Sequence, residues 1–151
     1  MRRILFVCFG NICRSPMAEF ILKDLVQKRG LESGFHIESR GTSAEELGNP
    51  VYPPACAELK KHGIGCAGKT AQRLQAEDYE TYDLLIAMDA MNRRAIQRMT
   101  DGDPLGKVHM MTEHTARGGD VEDPWYTRRF DIAYRNIAEG CEAWLETLLM
   151  Q

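Results

Sequence analysis

The residues best suited to chemistry are Cys8 and Arg14, which are separated by five residues near the start of the chain. An apolar run over residues 4–7 precedes the cysteine, and Ser15 and Pro16 follow the arginine as the expected N-cap and first helical residue. A strand, loop and helix in this order surround Cys8 with backbone N–H groups and a helix N-terminus, which bind oxyanions and favour a thiolate over a thiol. The spacing predicts a phosphate-binding loop with a nucleophile at its base.

The same two residues also have a plainer interpretation. An unpaired cysteine often ends a buried strand, and the arginine is then an ordinary surface residue. The flanking order favours the phosphate-binding loop, because an apolar run comes first, Gly10 and Asn11 lie inside the loop, and an amphipathic pattern follows. We therefore expect inorganic phosphate or a similar oxyanion to bind in this loop.

Two separate segments carry a family resemblance. The loop closely resembles the active-site loop of the low-molecular-weight protein tyrosine phosphatases, with the sequence Cys8-Phe9-Gly10-Asn11-Ile12-Cys13-Arg14-Ser15-Pro16. That family's general-acid segment is similar to Asp123-Pro124-Trp125-Tyr126. The segments Ser39-Arg40-Gly41-Thr42 and Met88-Asp89-x-x-Asn92 and the chain length agree as well, so the resemblance covers nearly the whole chain.

The resemblance implies an enzyme that hydrolyses phosphotyrosine in proteins, and small aryl phosphates, without a cofactor. Cys8 is then the nucleophile that forms a cysteinyl-phosphate intermediate. The backbone N–H groups of residues 9–14 and the planar guanidinium of Arg14 bind the phosphoryl oxygens, a role in which a lysine lacks the necessary geometry. Asp123 is then the acid that protonates the leaving phenolate and the base that activates water afterwards.

The remaining expected site residues support or enclose this chemistry. By resemblance, Ser15 donates a hydrogen bond to the Cys8 sulfur, and Asn11 holds the loop in a strained shape through contacts with residues such as Ser39. The family places aromatic residues on the cleft wall, where they stack on the phenyl ring of the substrate. The expected substrate-binding residues are Phe9, Gly10, Asn11, Ile12, Cys13, Ser15, Trp125 and Tyr126.

Cys13 has two interpretations that the sequence leaves open. It is a small residue that fits a tight loop, or a thiol that traps an oxidised Cys8 as a reversible disulfide. Cys56, Cys66 and Cys141 are interpreted as structural.

Two departures from the family pattern bear on the substrate cleft. Where a vertebrate-type member has a tryptophan on the cleft wall, this chain has residues 44–47, which leaves Leu47 as the only apolar contact there. The family's frequent histidine after the second helix is replaced around residues 67–69. Substrate preference and loop rigidity are the properties that these changes affect.

Three alternatives share parts of this pattern. An arsenate reductase on the same scaffold needs two further cysteines after the third strand, and no cysteine lies between Cys66 and Cys141. A protein arginine phosphatase tends to have threonine where Ile12 stands. A non-hydrolytic phosphoryl carrier must avoid hydrolysing its own intermediate, and Asp123 argues against it.

The predicted elements alternate between strands and helices. Strands are predicted over residues 3–7, 35–39, 83–88 and 107–111, and helices over residues 16–29, 54–62, 90–99 and 130–148. Residues 65–70 are predicted to form a surface loop, and residues 118–125 another. The alternation predicts an α/β fold, with one domain over residues 1–151 and an open four-stranded parallel sheet of flavodoxin-like order 2-1-3-4, covered by helices on both faces. Ligands bind beyond the carboxyl ends of such strands, where Cys8, Ser39 and Asp89 fall.

The composition is that of an ordinary globular protein. The net charge of −3 gives no footprint of nucleic-acid binding, and no apolar stretch is long enough to span a membrane. Five cysteines without the spacing of a disulfide framework or a zinc site favour a reducing, cytoplasmic compartment and no metal.

Overall fold

The computed structural model describes residues 1–151. Its four parallel strands lie in the order β2-β1-β3-β4. They are β1 (Arg2–Cys8), β2 (Phe35–Gly41), β3 (Leu84–Ala87) and β4 (Val108–Met110). β1 lies inside the sheet and is buried on both faces, as its continuous apolar run predicts. The predicted fold class and strand order are confirmed.

Helices cover both faces of the sheet. They are α1 (Arg14–Lys28), α2 (Pro53–Lys61), α3 (Ala76–Thr81), α4 (Ala90–Met99), α5 (Pro124–Thr127) and α6 (Phe130–Leu149). Because side chains alternate along a strand, Ile4 and Phe6 enter a core of 27 buried residues with α1, α2 and α6. Leu5 and Val7 enter a second core of 9 buried residues with α3 and α4.

The predicted start of the first helix is wrong by two residues. α1 begins at Arg14 with Cys13 as its N-cap, so Ser15 is not the cap and Pro16 is not the first helical residue. The Ser15 hydroxyl is instead directed at Cys8, as described below. The prediction also missed α3 and treated the start of α5 as loop, because both helices are short and give little periodic signal.

The structure contains one disulfide that the sequence did not predict. Cys56 of α2 is bonded to Cys66, with their Cα atoms 5.8 Å apart, whereas Cys8, Cys13 and Cys141 are free and buried. The sequence spacing had no framework pattern, and only the turn after α2 brings the two residues together. None of the helices has the length and apolarity needed to cross a bilayer.

Candidate active site

The phosphate-binding loop begins where β1 ends, at the carboxyl edge of the sheet. Cys8 is only 3% exposed, and its Sγ accepts a hydrogen bond from the Asn11 backbone N–H at 3.3 Å. The Sγ also lies 2.9 Å from the Ser15 hydroxyl oxygen, which is carried by the first turn of α1. The sulfur that the sequence singles out therefore lies between a backbone donor and a hydroxyl group.

Asn11 holds the loop in an unusual shape. Its φ of 60° is in the left-handed region, which asparagine tolerates better than most residues. Its side-chain amide donates to the Ser15 hydroxyl at 2.8 Å and to the Ser39 hydroxyl at 3.0 Å, and its carbonyl oxygen accepts from the Gln72 backbone N–H at 3.0 Å. The expected contact between Asn11 and Ser39 is present.

A buried ion pair lies beneath Ser39. The Ser39 hydroxyl donates to Glu19 at 2.6 Å, and Glu19 is only 2% exposed. Lys69 places its Nζ 3.3 Å from the same carboxylate and donates to the Ser39 carbonyl at 2.8 Å. Burial lowers the pKa of Lys69, against the opposing effect of Glu19. The sequence predicted a surface loop here and missed this pair, since nothing local marks a lysine for burial.

Arg14 is held in place by groups from two other loops. Its Nη1 donates to Asp89 at 2.7 Å and to the Val121 carbonyl at 2.9 Å, and its Nη2 lies 3.5 Å from Asp123 Oδ2. Burial alone would lower the pKa of Arg14, but Cys8, Asp89 and Asp123 together raise it above its ordinary value. The sequence analysis placed Asp89 at the carboxyl end of the third strand but gave it no role in the site; in the structure it follows β3 after one intervening residue.

Asp123 begins α5 as its N-cap. Its Oδ1 accepts a hydrogen bond from the Trp125 backbone N–H at 3.0 Å, which leaves Oδ2 directed toward Arg14. The Asp123 side chain is 28% exposed, so it can exchange protons with water. The Trp125 ring packs on Tyr52 with the ring centres 4.8 Å apart. These contacts fix the position of the carboxylate beside the guanidinium.

These groups surround one cavity of about 130 Å³. Cys8, Arg14 and Asp123 are all among its lining residues. Phe9, Trp125 and Tyr126 are all exposed, and they form the apolar part of its wall. Gly10, Ile12 and Cys13 also line the cavity beside the cysteine. The structure thus brings two segments that lie more than a hundred residues apart in sequence into one small cleft.

Comparison with known proteins identifies this arrangement. Residues 3–151 match the sequence model of the family described as low molecular weight phosphotyrosine protein phosphatase. The chain belongs to this family. The predicted family and enzyme class are confirmed: it is a protein tyrosine phosphatase, a phosphoric monoester hydrolase.

Individual relatives cover almost the whole phosphatase. A Schizosaccharomyces pombe low molecular weight phosphotyrosine protein phosphatase is 41% identical over 151 residues, covering 97% of this chain and 96% of the relative. The crystal structure of YfkJ from Bacillus subtilis superimposes with a TM-score of 0.96 at 35% identity, covering 99% and 96% of the two chains. A Drosophila arginine phosphatase structure has a TM-score of 0.89 at 31% identity, covering 98% of each chain.

The wall of the phosphatase cleft differs from the sequence expectation at one place. Leu47 is 61% exposed and does not line the cavity, so the prediction of an apolar contact there is wrong. Glu45 and Glu46 line the cavity instead. The turn over residues 44–47 brings these two residues to the cavity, which residue types alone did not show.

The surroundings of Cys13 favour its thiol form over the thiolate. Burial, together with the nearby Cys8 and Asp123, raises the pKa of Cys13 to about 12. A thiol with this pKa is almost entirely un-ionised at neutral pH, and the thiolate is the reactive form. Its proposed role as a redox partner of Cys8 stays a prediction.

Proposed function

We propose that Cys8, Arg14 and Asp123 of this phosphatase hydrolyse phosphotyrosine in two steps. In the first, Cys8 Sγ attacks phosphorus, the bond to the phenolic oxygen breaks, and Asp123 gives that oxygen its proton. In the second, the Asp123 carboxylate takes a proton from water, the water oxygen attacks phosphorus, and the sulfur–phosphorus bond breaks to release phosphate. The observation that carries the proposal is the placement of all three residues around one cavity.

Phosphate binding is assigned to the loop itself. The N–H groups of residues 9–14 and the Arg14 guanidinium are the donors that a phosphoryl group needs, and Arg14 is already oriented by Asp89 at 2.7 Å. We expect inorganic phosphate to inhibit competitively for this reason. Phe9, Trp125 and Tyr126 are assigned to the phenyl ring, because an apolar wall above a deep nucleophile favours phosphotyrosine over the shorter phosphoserine.

Turnover of aryl phosphates tests these assignments. Cys8→Ser should be inactive, and full activity in this variant would contradict the proposal. Asp123→Ala should lose activity by about 10²–10⁴-fold, the usual contribution of a general acid, and the loss should be greater for phenyl phosphate than for p-nitrophenyl phosphate. Asp120→Asn is the matched control, since Asp120 lies in the same loop but contacts the Ala90 backbone N–H and does not line the cavity.

Substrate class is tested with two peptides of identical sequence. One carries phosphotyrosine and the other phosphoarginine, because a structural neighbour is a Drosophila arginine phosphatase. Ile12, where arginine phosphatases tend to have threonine, is an aliphatic lining residue and supports the phosphotyrosine peptide as the better substrate. Faster turnover of the phosphoarginine peptide would contradict the assignment.

We place the enzyme in the cytoplasm. The proposed nucleophile works only as a reduced thiol, and Cys8 is one of three free cysteines. The Cys56–Cys66 disulfide argues the other way, because cytoplasmic disulfides are uncommon. Cell fractionation combined with thiol mapping under non-reducing conditions tests the location.

A further inference from the structure

We propose that Glu45 and Glu46, here called the acidic rim, select phosphotyrosines that lie next to lysine or arginine in the protein substrate. The inference rests on the phosphotyrosine phosphatase activity proposed above and concerns the residues around the phosphotyrosine. Both glutamates line the same cavity as Cys8 and Arg14. A substrate whose phosphate reaches Cys8 therefore brings its neighbouring residues close to two carboxylates.

The acidic rim is anchored to the phosphate-binding loop. The Ser43 backbone N–H donates to the Phe9 carbonyl at 3.0 Å, and the Gly48 backbone N–H donates to the Ala71 carbonyl at 2.9 Å. Glu46 Cγ lies 3.4 Å from where a Cβ on Gly10 would be, so the side chain packs directly over the loop. The two carboxylates are thus carried by a turn that is fixed at both ends.

The charges of the acidic rim have no partner within the protein. Neither Glu45 nor Glu46 forms an ion pair, whereas Asp123 in the same cavity is 3.5 Å from Arg14. Asn49 donates a hydrogen bond to Glu46 at 2.6 Å, which orients that carboxylate without neutralising it. Two unpaired negative charges at the mouth repel a free phosphate dianion, and they attract a cationic side chain beside the phosphotyrosine.

The charged side chains around the cleft are also distributed asymmetrically. Arg128 ends α5, the helix that carries the lining residues Trp125 and Tyr126; it donates to the Tyr52 hydroxyl at 3.1 Å and has no carboxylate partner. The cation that the substrate supplies should therefore lie on the side of Glu45 and Glu46, and a substrate with basic residues on one flank should be preferred to one with acidic residues there. An exposed ion pair contributes a factor of about two to five, so two carboxylates together give a preference of about tenfold.

The test compares three substrates with wild type and the variant Glu45→Gln/Glu46→Gln. The substrates are p-nitrophenyl phosphate, a phosphotyrosine peptide with arginines on one side of the phosphotyrosine, and the same peptide with glutamates in those positions. The peptide pair is made twice, once with the changes before the phosphotyrosine and once with the changes after it. Wild type should prefer the basic peptide by about tenfold in kcat/KM, and the preference should shrink as salt is raised. In the variant, the preference should fall below about threefold while kcat/KM for p-nitrophenyl phosphate stays equal or rises.

The matched control is Glu77→Gln/Glu80→Gln, which removes the same two charges from exposed positions on α3, away from the cavity. It should keep the wild-type preference. Equal turnover of basic and acidic peptides by wild type, or an unchanged preference in the rim variant, would overturn the inference. So would an equal loss of preference in the control, because net charge would then explain it. Failure of wild type to hydrolyse any aryl phosphate would instead contradict the proposed function.

Discussion

At the scale of single residues, the hydrogen bonds beneath Cys8 have a fixed direction. The Ser39 hydroxyl donates its proton to the Glu19 carboxylate at 2.6 Å. The Ser39 oxygen is then free to accept from the Asn11 amide, whose second N–H goes to the Ser15 oxygen. The Ser15 proton is then directed at the Cys8 sulfur, 2.9 Å away, which is nearer than the Arg40 carbonyl oxygen at 3.4 Å. A buried carboxylate thus orients the hydroxyl that contacts the proposed nucleophile.

Lys69 is expected to maintain this direction, because its Nζ lies 3.3 Å from the Glu19 carboxylate. Lys69→Met removes one cation from the buried Glu19 carboxylate. We predict that the free energy of unfolding falls by about 1–3 kcal/mol and that kcat also falls. Urea unfolding and aryl phosphate kinetics measure both.

Lys23→Met is the matched control for Lys69. Lys23 also contacts Glu19, at 2.6 Å, but its side chain is 43% exposed and does not touch Ser39. Its loss should cost less than about 1 kcal/mol. Equal effects of the two substitutions would show that Lys69 has no special role.

Cys13 should resist alkylation near neutral pH. Because its pKa is raised to about 12, the thiolate fraction increases about tenfold for each pH unit between 7 and 10 and reaches no plateau. Iodoacetamide labelling of the wild type, followed by mass-spectrometric fragmentation of the peptide over residues 4–14, measures the rate at Cys13 separately from that at Cys8. A plateau below pH 9 would contradict this prediction and would favour Cys13 as a redox partner.

At the scale of elements, the end of β2 fits tightly against the phosphate-binding loop. A Cβ added to Gly41 would lie 2.7 Å from the Phe9 carbonyl oxygen and 3.2 Å from the Gly10 carbonyl carbon. Gly41 also exchanges backbone hydrogen bonds with Gln72 and Leu74, each at 2.8 Å, so it cannot move aside easily. The strand therefore sets the position of the loop's backbone donors.

Gly41→Ala should consequently damage phosphate binding. Displacing the loop by a fraction of an ångström misaligns several donors, and we predict a loss of about 10–100-fold in kcat/KM. Gly65→Ala is the control, because a Cβ added there would have no atom within 4 Å and the Gly65 φ is not in the left-handed region. Wild-type kinetics in Gly41→Ala would show that the contact does not position the loop.

At the scale of the whole molecule, α6 packs against the β4 edge of the sheet, from which the chain continues to Asp123. A Cβ on Gly140 would lie 2.6 Å from the Met111 carbonyl oxygen, and the Trp144 indole N–H donates to the Met110 carbonyl at 3.1 Å. After this edge the chain comes back to the site at Val121. The Val121 carbonyl accepts a hydrogen bond from Arg14, and the Val121 N–H donates to the Met88 carbonyl at 2.9 Å. Packing of the last helix thus supports the second half of the site.

Gly140→Ala should destabilise the fold while leaving the chemistry of folded molecules intact. Overpacking of this kind costs about 1–3 kcal/mol, which lowers the unfolding temperature measured by circular dichroism. Gly34→Ala has open space around its Cβ position and should change stability little. A Gly140→Ala variant as stable as wild type would mean that α6 adjusts without cost.

The features that the sequence alone determined are those that depend on residues close together in the chain. The loop from Cys8 to Arg14, the alternation of strands and helices, and most element boundaries follow from local spacing and periodicity. The family resemblance added Asp123, although it gave no contact for that residue. The predicted substrate-binding residues lie around one cavity, except Asn11 and Ser15, which lie just behind it.

Only the tertiary structure decided how distant residues meet. Four features have no local signal in the sequence: the pairing of Arg14 with Asp89, the burial of Lys69 on Glu19, the disulfide between Cys56 and Cys66, and the placement of Glu45 and Glu46 at the cavity. Each depends on where a loop lies once the sheet is assembled, because the free energy of such a contact comes from burial and charge pairing that do not exist in the isolated segment.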